Sequence, residues 1–207
     1  MRLRIGVALA VVGIAAVALL AGPLSRGDRL SDILTGQTPL LAGSARAPGG
    51  SATLMGTAEL ETDRRPATLR LACDPGGTGL SAALTVPRFA ELAPRFDFAG
   101  LAGSGSETPL TGILVSSAGS VRSVRIPVQG AATGAEAGYT LTVTGARRGD
   151  DPLRGLAQAL SQPGAKLTWT QASPRSGDPA LTATATVAEA DAAALKTALA
   201  GCLAAPF

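Results

Sequence analysis

The stretch ALTATATVAEADAAALKTALAGCL, Ala180 to Leu203, decides the architecture. Its first half alternates, with Leu181, Ala183, Ala185 and Val187 at every second position and Thr182, Thr184 and Thr186 between them. Alternation of apolar and hydroxyl residues describes a strand with one buried face. The second half changes period. Ala188, Ala192, Leu195, Leu199, Cys202 and Leu203 fall along one side of a helix, with Glu189 and Lys196 off it. Thr186 and Glu189 have the T-x-x-E spacing of a capping box, which would pass the strand into the helix with almost no loop. The spacing predicts a strand over 181–187 and a helix over about 187–203.

Cys202 is one of only two cysteines. The other, Cys73, ends the run Ala67–Cys73, where Leu69, Leu71 and Cys73 alternate with Arg70 and Ala72. Both cysteines thus lie on expected buried faces. The chain begins with Arg2 and Arg4, followed by an uncharged run from Ile5 to Gly22. Residues 1–22 read as either a signal peptide or an N-terminal transmembrane anchor, with 5–22 close to the lower limit of about 17–25 residues for a spanning helix. Ala16-Val17-Ala18 fits a cleavage site, and no cysteine follows Leu20-Ala21-Gly22, so a bacterial lipoprotein anchor is excluded. On either reading the rest is exported, periplasmic or otherwise extracytoplasmic, and an even cysteine count there favours a Cys73–Cys202 disulfide. A bridge needs Cα atoms about 4.4–6.8 Å apart, so the last helix must cross the strand of Leu69 and Leu71. Closing so long a loop contributes roughly 4–5 kcal/mol on the chain-entropy view.

The apparent basicity is partly the leader's. Removing Met1–Gly22 lowers Lys+Arg from 18 to 16 against 15 Asp+Glu, leaving +1. The arginines are scattered singly or in pairs, without a basic stripe or interleaved aromatics, which argues against nucleic acid as a partner. Residues 23–51, rich in Gly, Pro and Ser, read as a flexible linker, and 52–207 as one exported domain.

Within that domain Thr53–Glu61, Ala67–Cys73, Leu80–Val86, Leu110–Ser116, Val121–Val128 and Tyr139–Thr144 read as strands. Asp63-Arg64-Arg65-Pro66 separates the first two, and Ala118-Gly119 joins the fourth and fifth. Pro127 marks an edge strand. Phe89–Leu92 reads as a helical turn, Arg95–Ala99 as a short strand carrying Phe96 and Phe98 on one face, and Gly100–Thr108 as a loop. Asp151-Pro152 starts a helix over about 151–162, with Leu153, Leu156, Ala157 and Leu160 in one stripe and Pro163-Gly164 ending it. A further strand contains Leu167 and Trp169. A run of strands followed by helix, strand, strand, helix predicts an α+β fold, a mainly antiparallel sheet packed by two helices. Its element order is similar to that of several small exported bacterial proteins, including accessory proteins of secretion systems, but no motif transfers residues from them.

Chemistry is constrained by what is missing. The sequence has no histidine, which removes the commonest general base and metal ligand and excludes a serine–histidine triad. Neither Lys166 nor Lys196 follows a serine at dyad spacing, and the glycine runs Gly76–Gly79 and Gly100–Gly105 match no phosphate-binding loop. Asp150-Asp151 is explained by helix capping. Arg-Gly-Asp occurs at Arg26–Asp28 and Arg148–Asp150, as expected by chance in a chain rich in Arg and Gly. No catalytic, metal or cofactor site is expected. The predicted function is a non-catalytic binding or accessory module of the bacterial envelope, with an unidentified envelope component as partner and the membrane as a second contact if the leader is retained. The alternative is a small histidine-independent hydrolase using carboxylates or a serine. Arg88, Arg95, Gly103, Ser104, Arg147 and Arg148 form the candidate binding surface.

Overall fold

Most strands in this chain, the two at the sheet's edges excepted, bury nearly every second residue, so the apolar pattern becomes one continuous inner face. The computed structural model describes residues 50–74, 79–102, 111–133, 138–145 and 151–204. They form β1 (Ser51–Leu60), β2 (Asp63–Cys73), β3 (Leu80–Val86), β4 (Thr111–Ser117), β5 (Ser120–Ile126), β6 (Gln129–Thr133) and β7 (Gly138–Thr144). Then follow α1 (Pro152–Leu160), β8 (Lys166–Gln171), β9 (Leu181–Thr186) and α2 (Glu189–Ala204). The strands make one nine-stranded sheet in the order β5-β4-β8-β9-β1-β2-β3-β7-β6. Every pairing between these strands is antiparallel. The fold is therefore the expected α+β arrangement.

The sheet curls into a half-barrel around its apolar face. Helix α1 touches β3 as well as β4 and β5, strands far apart in the sheet order. A void of only about 20 Å³ lies between Leu71 and Leu80 on one side, Ile113 and Leu167 on the other, and Leu156 and Leu160 of α1. So small a void is what close packing leaves at this point of the core. Trp169 and Tyr139 are both core residues. The opposite face carries threonine in most strands, including Thr140 and Thr142 of β7 and Thr182 and Thr184 of β9, and none of these four is buried.

Both predicted helices form. Asp151 accepts a hydrogen bond from the Leu153 N–H at 2.9 Å, Pro152 occupies the first turn, and Leu153, Leu156, Ala157 and Leu160 are buried. In α2 the buried residues are Ala192, Leu195, Leu199 and Cys202, and Leu203 packs at the core's margin. Cys73 and Cys202 are joined, with Cα atoms 5.8 Å apart, and α2 crosses β1 and β2 as the bridge demands. The crossing is close enough that a Cβ at Gly50 would collide with the Ala198 carbonyl.

Several details differ from expectation. The capping box is not Thr186 with Glu189, because Thr186 remains in β9 opposite Lys166. The helix begins two residues later, and the Ala188 N–H donates to the Asp191 carboxylate at 3.3 Å. Ala188 accordingly lies exposed, off the buried stripe. Residues 63–66 are not a separator. A two-residue turn at Glu61-Thr62 suffices, and Pro66 sits in β2 beyond the end of the β3 pairing, where its missing N–H costs no ladder bond. Arg95–Ala99 is not a strand. Successive tight turns (Arg95 N–H to Leu92 O, Phe98 N–H to Phe96 O, Leu101 N–H to Phe98 O) bring both rings inward, 4.7 Å apart. β6 is a strand the pattern did not announce.

Among the described residues no helix is long and apolar enough to cross a membrane. The leader, the linker up to residue 49 and most of the Gly100–Thr108 loop lie outside the described residues.

Candidate functional site

Two of the six expected surface residues come together at one end of the half-barrel. The β1–β2 turn delivers Glu61 and Asp63, the segment after β3 delivers Arg88, Glu91 and Arg95, and β2 points Arg65 inward between them. Arg95 pairs with Glu61 at 3.1 Å and with Asp63, and Arg88 lies 3.7 Å from Glu91. Arg65 is 4% exposed and donates to the Arg88 carbonyl at 2.9 Å and to Asp63 at 3.0 Å. The hydrogen bonds of Arg95, then of Arg65, hold the Asp63 carboxyl below its ordinary range. Asp63 is therefore an ionised partner and cannot donate a proton at neutral pH. The cluster ties the β1–β2 turn to the segment after β3, and its arginines are already engaged. Gly103, Ser104, Arg147 and Arg148 lie outside the described residues.

A second grouping places a serine beside a carboxylate. Ser173 Oγ donates to Asp178 at 2.7 Å, accepts the Asp97 N–H at 3.1 Å, and Arg175 grips Asp178 at 2.8 Å. The Arg175 hydrogen bond, with that of Ser173, lowers the Asp178 carboxyl, which makes it a weaker base. The Arg175 guanidinium also donates to the Pro94 carbonyl at 3.1 Å, so this grouping fastens one loop to another. Burial raises the Asp151 carboxyl, whose place at the N-terminus of α1 already gives it a role. Among the described residues no group of three acidic or cysteine side chains could hold a metal ion.

The larger hollow lies elsewhere, on the exposed face at the β5 edge. It is an open trough of about 700 Å³ over β5, β4 and β8. Gly112 forms its floor, where a Cβ would meet nothing within 4 Å. Leu114, Ser123, Arg125, Thr168 and Thr170 stand around it. Leu114 is 41% exposed and Val121, further along the same face of β5, is 67% exposed. β5 pairs with β4 alone, so its outer edge has no strand partner among the described residues.

Arg122 and Arg125 of β5 are the signal that sequence reasoning passed over. Arg64, Arg65, Arg88, Arg95 and Arg175 all pair with carboxylates, and Arg70 donates to Ser51. Arg154 is also engaged. Arg122 and Arg125 make no hydrogen bond or ion pair to any described residue, and both are exposed. The pattern SVRSVRI, ending at Pro127, held the available clue: arginines on both faces of a strand marked as an edge.

No protein family, curated protein or solved structure matches this chain.

Proposed function

We propose that the protein is an exported bacterial envelope component, periplasmic or held at the membrane by its leader, acting as a non-catalytic binding or accessory module. Export rests on the basic and then uncharged start, with the Cys73–Cys202 disulfide as independent support, since such bonds persist in oxidising compartments. One observation carries the binding role. The trough joins a strand edge without a partner among the described residues to the exposed Leu114 and to an arginine unengaged among them, and none of its described lining residues is a carboxylate. Its described residues offer contacts but no carboxylate to act as proton donor or acceptor in hydrolysis. The competing hydrolase reading has two groupings to draw on, and in each an arginine holds an aspartate's carboxyl low.

Non-reducing intact mass of the native chain, extracted from fractionated cells, tests the proposal. The expected result is envelope fractionation with two hydrogens missing from the cysteines. A cytoplasmic chain carrying two free thiols would overturn it.

A further inference from the structure

From the open edge we infer that β5 accepts an acidic, extended polypeptide segment as a tenth strand, with an apolar side chain of that segment seated in the trough. This deepens the binding reading above and rests on it. An edge strand presents unpaired backbone donors and acceptors, and strand addition is a general mode of peptide recognition. The register of β5 on β4 fixes what a partner would meet. Val121, Ser123 and Arg125 lie opposite Ser116, Leu114 and Gly112 on the exposed face, and Arg122 and Val124 lie opposite Val115 and Ile113 on the other. A residue added opposite Ser123 has only that small side chain between itself and Leu114. A leucine there can lean across Ser123 onto Leu114 and the Gly112 floor. Residues opposite Arg125 and Arg122 are three apart on the added strand and point to opposite faces, and carboxylates at those two places complete the charge pairing that β5 lacks among the described residues.

Charge also selects among occupants. A second copy pairing antiparallel about Ser123 would set four guanidinium groups along one short ladder, with no carboxylate on either β5. Like charges so close are unfavourable, and arginine on an edge deters self-pairing for this reason. An acidic strand gains from the same groups.

The probe is a fluorescein-labelled heptapeptide of threonine, glutamate, valine, leucine, glutamate, threonine and threonine, titrated into the full-length chain by fluorescence anisotropy. In antiparallel register its glutamates face Arg125 and Arg122 and its leucine faces Ser123. The Arg122→Glu/Arg125→Glu double variant should weaken binding about tenfold and favour a lysine-for-glutamate peptide instead. Arg70→Glu, on the exposed face of β2, should leave binding unchanged. Two further peptides carry N-methyl groups on alternate residues. Only one of them blocks hydrogen bonds to β5, so one should bind and the other should not. Equal binding of both would overturn strand addition. So would absence of binding to a folded, oxidised chain, or a wild-type dimer in sedimentation equilibrium that protects β5. These failures are separate from that of the envelope proposal, which falls on location and thiol state.

Discussion

The two edges of the sheet come from one run of chain, Ser120–Thr133, bent at Pro127-Val128, yet they are finished in opposite ways. The β6 edge is covered by packing at Gly130. Ala102 forms a parallel bridge to Gly130, and a Cβ at Gly130 would collide with the Tyr139 ring beneath it. The Tyr139 hydroxyl donates to the Phe98 carbonyl, and Phe89, Phe96, Phe98 and Tyr139 form one chain of ring contacts. Burial raises the Tyr139 hydroxyl, with Asp97 adding to the shift, so it remains a donor. The β5 edge has none of this. Among the described residues it has exposed Val121, two unengaged arginines and no strand partner on its outer side. Packing settles an edge permanently, whereas charge deters wrong partners and leaves the backbone available.

The largest effect should come from the clamp behind both edges. The disulfide fixes α2 across β1 and β2, near the middle of the sheet order, so its loss should loosen the whole curve. Cys73→Ala/Cys202→Ala should lower unfolding stability by about 4–5 kcal/mol in non-reducing denaturant titrations. Amide exchange should accelerate at β5 and β6 together. Acceleration at one edge alone would mean that the curve is held from that side.

Phe98→Ala strikes the closed edge directly. Its ring touches three other aromatic side chains, and truncating a buried phenylalanine costs about 3–5 kcal/mol. Exchange at β6 should rise beyond the global change, and β5 should follow only the global change. Tyr139→Phe keeps the ring and removes one of two hydrogen bonds to the Phe98 carbonyl, which still accepts the Leu101 N–H, at a cost of about 0.5–1.5 kcal/mol. Equal protection of β6 in that variant would show that ring packing alone seals the edge.

Acid should separate the two sides as well. The folded Asp63 carboxyl is lowered, so its contribution is complete above the unfolded value near 3.8 and is lost as pH falls through the folded value. Protonation weakens the bonds of Asp63 to Arg95 and Arg65, while Arg65 keeps its own bond to the Arg88 carbonyl. Unfolding curves between pH 5 and pH 2 should show this loss, and Asp63→Asn should flatten it. β5 has no carboxylate, so its local opening should not follow this titration. Acid-dependent exchange confined to β5 would contradict the assignment.

What was legible in the sequence was local and periodic. Asp151-Pro152, the Leu153–Leu160 stripe and the alternation through Leu69, Leu71 and Cys73 each state their structure within a few residues. Together they made the helices, the buried cysteines and the antiparallel sheet readable. β6 was not, because Gln129-Gly130-Ala131-Ala132-Thr133 carries almost no apolar contrast, and its glycine is explained only by a tyrosine on the next strand. Phe96 and Phe98, two apart, fit a strand face as well as a turn. The charged cluster was hidden for a different reason: Arg95 meets Glu61 and Asp63 from more than thirty residues away, and separation in sequence gives no sign of such pairing. Arg122 and Arg125 were visible as residues, but their lack of partners among the described residues is a property of the folded surface.

The smallest effect on stability should come from those two arginines, and it bears most directly on the comparison. Arg122→Ser/Arg125→Ser removes exposed groups that touch no described carboxylate, so unfolding stability should change by no more than about 0.5 kcal/mol. Behaviour with concentration should change instead. Without its charges β5 keeps Val121 and an open backbone edge, the combination that invites strand-to-strand association. Sedimentation should show the variant self-associating at concentrations where the wild-type chain remains monomeric, with β5 amides protected in the associated form. A fall in stability with no association would mean that the arginines hold β5 to its own sheet, and the two edges would then differ only in how they are packed.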